Sequence, residues 1–500
     1  MKWIGIDFGT TNSVAAILEE ERIKETLGGL SGNDPLPTLV SFFQDDYRFG
    51  FDALMDSTDS RNERLIIGDL KPHLGRMEIL PVAGFRLSVE DLTARYLRHL
   101  RLLLSLKESE KIGAVIATPV EFPVSHRQAL LRAAKAAGID QVAFIYEPTA
   151  ALFQAIHGQA VPDGPVAVID WGGGTVDLTI VRCHPDRRVE DLNVNARRGG
   201  LGGRDLDRDL LERHLVRHPD AWTWYSAQSR NLQNRILNSL ELQKIAFLSE
   251  KPLKEMNFSI PQVPSDQVAA YQFDQNLALE RLQHFTSEVR RLAVETTCQA
   301  GLSVEDVVAF LLVGGPFASS RIRRDFNKVW PNARQMPIPH PQRATVQGCA
   351  RLANAGFDLA LAADIVVRQF DDNLHHVLRC GQPLPQSKGS VQYQEYLYRV
   401  TDLSAPQAIL EIGYYSEGHR HVPLEVLAVP VMHRRNSETR SAIPFNVRLQ
   451  IGLDECLFVT AQAQGRMMLG QNGEYQDLAQ KVSLSRIPLT LIPHTGRVRS

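Results

Sequence analysis

The chain has 500 residues, 44% of them apolar and 22% charged, with a formal net charge of −2. At about 100–200 residues per domain that length predicts two to four domains, and the near-neutral balance excludes the basic excess of a nucleic-acid or anionic-membrane binder. The opening MKWIGIDFGTTNS reads as no signal peptide. No run of about 18 apolar residues offers a membrane helix. Five scattered cysteines (Cys183, Cys298, Cys349, Cys380, Cys456) form no CxxC pair, which points to a reducing cytoplasm rather than a disulfide framework or zinc cluster.

In chain order, the first element is IGIDFGTTNSVAAIL, Ile4 to Leu18. It reads as strand, tight turn, strand. Leu92, Tyr96, Leu100 and Leu103 then recur at helical spacing. VIATPVEFPVSHRQAL, Val115 to Leu130, predicts a strand followed by a helix, with Ser125 as N-cap and Gly138 as stop. Val142–Tyr146 is a short apolar strand. AVIDWGGGTVDLTIV, Ala167 to Val181, repeats the opening pattern: strand, Asp, aromatic, glycine turn, alternating strand. Helical patterns follow over 207–218, 232–248 and 277–300, with a strand at Val307–Val313. Alternating strands and helices imply layered α/β architecture.

The repeated turn carries chemistry. Successive N–H groups in a tight glycine turn form an anion-binding nest, and glycine admits a phosphate close to the main chain. Thr10, Thr11 and Thr175 add hydroxyl donors, and Asp7 and Asp170 end their strands beside the turns. Such carboxylates suit a Mg²⁺ ion that keeps part of its water shell. Two facing copies would clamp a polyphosphate from both sides. Neither turn is a Walker loop, and neither opens a Rossmann helix.

These residues resemble the two phosphate motifs of the actin/hexokinase/heat-shock ATPase superfamily, and most closely the 70-kDa heat-shock chaperone family. YEPTAAL (Tyr146 to Leu152), GGLGGRDLD (Gly199 to Asp207), ELQK (Glu241 to Lys244) and FLLVGG…SSRI (Phe310 to Ile322) resemble further motifs of that family in the same order. The resemblance implies a two-lobed actin-like ATPase domain over 1–355, an interdomain linker at 356–366, and an antiparallel β-sandwich domain over 367–500. It implies ATP or ADP with Mg²⁺, and a K⁺ site near Gly202, Gly203 and Asp205. Asp7 and Asp170 resemble the magnesium-side carboxylates. Gly9, Thr10, Thr11, Gly172, Gly173, Gly174 and Thr175 look like phosphate ligands. Glu147 and Asp177 resemble the acidic pair around metal and attacking water, and Lys71 the catalytic lysine. Glu241 and Lys244 look like ribose contacts, sharing a helix face at i, i+3. Gly314, Gly315 and Arg321 belong to the implied adenosine pocket.

The chain departs from the family pattern at that pocket. Ile245 stands where an adenine-stacking arginine is expected, which removes its cation–π contribution. GGPFASSR, Gly314 to Arg321, inserts Pro316 into a short turn, and Gln342 replaces an acid.

From about residue 366 the period becomes two. Phe445, Val447, Leu449 and Ile451 alternate with polar residues, as do Leu410, Ile412 and Tyr414. No helical pattern follows Leu491, so a helical lid is not expected, and bound peptide would leave faster. His375, His376, His419 and His421 read as solvated loop histidines. The tryptophan-rich stretch at Trp222, Trp224 and Tyr225 reads as lobe packing. The expected function is a slowly hydrolysing, chaperone-like ATPase that couples nucleotide state to client polypeptide, with a J-domain cochaperone and an exchange factor as implied partners. The expected state is a monomer that binds neither nucleic acid nor membrane. The alternatives are a nucleotide-sensing scaffold with little turnover and a small-molecule kinase of the same superfamily.

Overall fold

The structure is a computed structural model of the chain. It describes residues 1–494 except 30–31, 59–63, 77–78, 83–84, 249–273, 370–371, 385–391, 400–406, 416–420, 431–432, 436–439, 443, 453–454, 464–466, 470–473, 477–478, 485–486 and 488.

Two seven-stranded sheets carry the N-terminal part. In the first, strand order is Gln141–Tyr146, Ile112–Thr118, Lys2–Phe8, Asn12–Glu19, Asp34–Pro37, Leu27–Gly28, with Arg22–Glu25 paired to Asn12–Glu19. In the second, it is Arg334–Gln335, Ala309–Val313, Gly164–Trp171, Thr175–Cys183, Val189–Gly199, Leu489–Pro493, Phe357–Leu361. The sequence repeat is thus a repeat of topology. Lys2–Phe8 runs antiparallel to the strand after its turn and parallel to Ile112–Thr118. Gly164–Trp171 does the same with Thr175–Cys183 and Ala309–Val313.

Helices cover both sheets, which explains the continuous apolar runs. All seven residues of Ile112–Thr118 are buried, as expected of a central strand covered on two faces. Ile4, Ile6 and Phe8 pack with Leu92, Tyr96, Leu100 and Leu130 of helices Val89–Leu103 and Val124–Ala136. Ile169, Trp171 and Leu178 pack with Leu210, Ile236 and Val289 of helices Gly203–Leu215, Arg230–Leu248 and Gln275–Gln299. Fully burying each such side chain contributes roughly 1.5–3 kcal/mol. A third cluster joins helices Glu147–Ala155 and Ala344–Ala355 to both sheets and to the C-terminal strands.

Local expectations are adjusted in places. The helix predicted to start after Ser125 begins at Val124, with Pro123 at the cap. Its stop holds, since Gly138 sits at φ +82°. Leu103, expected on an apolar helix face, is exposed at the helix end. Trp224 and Tyr225 pack on the second sheet's core, whereas Trp222 faces solvent.

The stretch read as a linker is largely a strand. Gly356, at φ +82°, turns the chain out of helix Ala344–Ala355, and Phe357–Leu361 pairs along its length with Leu489–Pro493. Phe357, Leu359 and Leu361 are buried, and buried main-chain groups need partners. The strand Leu489–Pro493 supplies them. It also pairs with Val189–Gly199 through Val189 and Glu190, so a late strand of the chain lies between Val189–Gly199 and Phe357–Leu361 in the second sheet.

Eight further C-terminal strands form two four-stranded antiparallel sheets: Leu374–Leu378, Asp364–Arg368, Gln407–Tyr415, Val422–Pro430, and Gln392–Tyr398, Phe445–Ile451, Leu457–Ala463, Ala479–Leu484; His433–Arg435 pairs with Arg440–Ala442 and Met467–Leu469 with Glu474–Gln476. The period-two reading appears directly: Phe445, Val447, Leu449 and Ile451 are buried and Arg448 is exposed. Leu410 and Ile412 share that core. The histidines read as solvated are paired instead. His376 Nδ1 is 2.5 Å from Asp364, His375 Nδ1 is 2.7 Å from the Tyr398 hydroxyl, and His421 is 3.4 Å from Glu411. His419 lies outside the described residues.

Candidate functional site

The two hairpin turns meet. A Cβ built on Gly173 would lie 2.3 Å from Thr11 Oγ1, and one built on Gly202 would lie 2.3 Å from the Gly173 carbonyl oxygen. Only glycine permits that approach. The first turn is fixed by its own surroundings. Gly9 N–H donates to Ser13 Oγ at 3.2 Å, Thr38 Oγ1 donates to the Gly9 carbonyl at 2.9 Å, and Thr38 N–H donates to the Thr11 carbonyl at 2.7 Å. The second turn is fixed by a later one: Gly203 N–H donates to the Gly172 carbonyl at 3.0 Å and Arg204 N–H to that of Gly173 at 2.8 Å. This seats the start of helix Gly203–Leu215, the positive end of its dipole, against the glycine turn. Thr11 Oγ1 is buried with no hydrogen-bond partner among the described residues. Such a hydroxyl costs about 1–3 kcal/mol until something accepts from it, which suits an anion entering between the turns.

Carboxylates surround the junction. Burial pushes the Asp7 carboxyl up to about 7, with the Glu147 charge adding and Lys71 opposing. Burial also raises Asp170 well above the usual range, helped by Glu147, Asp177 and Asp7. Asp177 is raised to about 6 by burial, against the pull of Arg197. Lys71, from the short helix Leu70–His73, is buried and ion-paired with Glu147 at 2.7 Å. Thr175 Oγ1 donates to Asp177 Oδ2 at 2.8 Å. Burial and mutual repulsion raise the proton affinity of these three acids, and a bound cation would oppose that rise. Asp7 and Asp170, from matched strand ends, could hold a hydrated divalent cation. Among the described residues no three His, Cys, Asp or Glu side chains converge as a chelating set.

The residues expected around ribose and base are disposed less uniformly. Lys244 is committed elsewhere: its Nζ pairs with the buried Asp207 at 2.8 Å and donates to the Gly203 carbonyl at 2.9 Å. It braces the glycine turn from behind, while Glu241 adds to the rise of Asp207 to about 7, a rise that burial causes first. Asp205 accepts from Gly202 N–H at 2.9 Å and from Arg208 at 3.2 Å, so its carboxylate fastens the helix start. Gly314 reaches the site: at φ +103°, a Cβ there would meet the Trp171 carbonyl at 2.1 Å and Asp170 Oδ1 at 3.0 Å. Gly315 begins a 3₁₀ turn to Ala318. The residues inserted with Pro316 put Phe317 into the core, edge-on to Trp171 at 5.6 Å. Arg321 and Ile245 are exposed. Gln342 is half-buried, and its neighbour Arg343 pairs with Glu25 of the first sheet at 2.9 Å.

Sequence reading missed three features. Arg197 lies 3.6 Å from Asp177. Arg204 lies 3.6 Å from Asp69, joining the second glycine turn to the loop before Lys71. Arg127, wholly buried between the rings of Phe144 and Tyr146, reaches Glu455 of the C-terminal sheets at 3.4 Å, and the Tyr146 hydroxyl donates to the Ile487 carbonyl at 3.2 Å. Each pairing joins residues far apart in sequence, so only long-range pairing could have exposed it.

Matched hairpins, a glycine-lined junction and clustered acids define an α/β protein whose site suits a phosphorylated ligand with a divalent cation. A model of the Hsp70 protein family matches residues 3–80 and 78–350. The chain belongs to the Hsp70 family, a family of chaperone-like ATPases that in general bind ATP or ADP with Mg²⁺ and act with client polypeptides and cochaperones.

Proposed function

We propose that this protein binds Mg-ATP between its two hairpins, hydrolyses it slowly, and couples the nucleotide state to polypeptide binding by its C-terminal strands. The observation that carries the reading is the contact of the two turns, Gly173 against Thr11, at the ends of the strands that carry Asp7 and Asp170, whose charges act on one another and feel Glu147 and Lys71. When bound, Mg²⁺ would supply charge neutralisation to the phosphates. The chain's own residues do the rest. Asp7 and Asp170 hold the hydrated ion from opposite strands. Gly9, Thr10, Thr11, Gly172, Gly173 and Gly174 present N–H and hydroxyl donors. Lys71, fixed by Glu147, offers an ammonium group to the terminal phosphoryl group. Asp177, fixed by Thr175, orients water. Gly202 and Gly203 close the phosphate end, and Gly314, Gly315 and Arg321 border the base.

In this reading residues 1–355 form a two-lobed nucleotide domain and 367–500 a β-sandwich that offers an extended peptide a groove. The Arg127–Glu455 pair and the Tyr146–Ile487 bond link that domain to the residue preceding Glu147, which gives the coupling a physical route. Five free cysteines support a reducing cytoplasm. A nucleotide-sensing scaffold with little turnover is the second reading. The strand Leu489–Pro493 favours it, because it sews residues 357–361 to the nucleotide-side sheet.

ATP turnover by the full chain, measured with and without an extended apolar peptide and a J-domain partner, separates the readings. Peptide- or partner-stimulated hydrolysis is expected. Tight Mg-ATP binding with negligible turnover under every condition would establish the scaffold, and no nucleotide binding would overturn both.

A further inference from the structure

Lys71 is not the only cation beside the clustered acids. Arg197 belongs to strand Val189–Gly199. In register, Asp170 lies opposite Asp177, and Asp177 lies opposite Arg197. Directly opposed residues on neighbouring strands carry their side chains on one face, so the three form a row directed to the same side of the sheet. Arg197 Nε is 3.6 Å from Asp177 Oδ1. Arg198, the next residue, points to the other face and pairs with Glu295 of helix Gln275–Gln299 at 3.8 Å.

The Arg197 charge also reaches the first sheet's side of the cleft. His126 is held below its usual range by burial first, and then by the guanidinium groups of Arg76 and Arg197. The His126 ring contacts the carbonyl of Pro72, the residue after Lys71, at 3.2 Å. Arg197 therefore stands at the Lys71 end of the site, on the opposing sheet. Its single long contact with Asp177 leaves its terminal nitrogens without hydrogen bonds among the described residues, and one third of the side chain is open. A guanidinium presents five donors in a planar fork that matches phosphate oxygens.

We propose that Arg197 reads the terminal phosphoryl group of the bound nucleotide: tethered to Asp177, it turns its free donors to that group and lets the site distinguish a triphosphate from a diphosphate. This rests on the Mg-nucleotide reading above. In that reading a third phosphate is the ligand feature that sits at the Lys71 end.

The test is calorimetric binding of Mg-ADP and of a nonhydrolysable Mg-triphosphate analogue to the full chain and to R197A, R197K and R198A. R197A should weaken the triphosphate analogue by about tenfold or more, the scale of one lost charge-assisted hydrogen bond, and leave ADP within about threefold. R197K should fall between, because a point charge replaces a fork. R198A, on the other face, should match the parent, and unchanged far-UV circular dichroism of each variant shows that it folds. Equal weakening of both nucleotides by R197A, or none, overturns the assignment while leaving the nucleotide site standing. A parent that binds neither nucleotide overturns both.

Discussion

The two hairpins share a backbone and differ in what holds them. The first turn is held by its own neighbourhood, through the Ser13 and Thr38 hydroxyls. The second is held by elements that come later in the chain, Gly202–Gly203 and Gly314. Their cation–carboxylate pairs differ in the same sense. Lys71–Glu147 is short, 2.7 Å, with side chains 7% and 12% exposed, whereas Arg197–Asp177 is 3.6 Å, at 33% and 25%. A dry pair is costly to break because either partner alone is a desolvated charge. A wetter, longer pair is worth little to the fold and can exchange partners. The first hairpin's side is therefore built as a fixed platform, and the second's as the half that can respond to a ligand.

That contrast can be broken most forcibly at Lys71. Lys71→Ala leaves Glu147 without its cation and should cost about 3 kcal/mol in urea unfolding. It should also reduce single-turnover hydrolysis on the order of a hundredfold, with nucleotide binding largely spared. A variant as stable as the parent would remove the distinction between the pairs. Next in size is Gly173→Ala, whose new methyl would strike Thr11 Oγ1. Nucleotide affinity should fall by about tenfold, the scale of one lost donor to phosphate. An unchanged affinity would mean that the turns do not meet there.

The smallest effect is one of pH. Asp7 and Asp177 stand at about 7 and about 6 in the folded chain, against an ordinary 3.8. The folded state then binds more protons than the unfolded state between roughly pH 4 and 7. The stability these acids contribute is full below about pH 4 and is lost as pH rises through 6 and 7. Without nucleotide, the parent's melting temperature should fall relative to Asp177→Asn by a few degrees over that range. Mg²⁺ with nucleotide should flatten the difference, and a parent that gains on the variant as pH rises would show that Asp177 is not charge-starved.

Much of the site was legible because the chemistry is local. Asp7 with Gly9–Thr11, and Asp170 with Gly172–Thr175, each occupy one strand end and one turn, so composition and order reveal them. Lys244 was legible as a helix-face residue but not in its partner, because Asp207 is reached only once two helices pack. The pairing of segment 357–361 was hidden for a related reason. Its apolar alternation is a strand signal, yet its partner strand lies more than a hundred residues later, at Leu489–Pro493.

By itself the sequence determined the two hairpins, the covered α/β sheets and the change to a two-residue period after residue 366, because glycine tolerance, side-chain alternation and helical spacing act over a few residues. Only the tertiary structure decided that Lys71 meets Glu147, that Arg197 shares a face with Asp177, and that a late strand comes back to lie between Val189–Gly199 and Phe357–Leu361. Those outcomes depend on strand register and on which buried main-chain and charged groups find partners some twenty to three hundred residues away, and no short-range pattern encodes them.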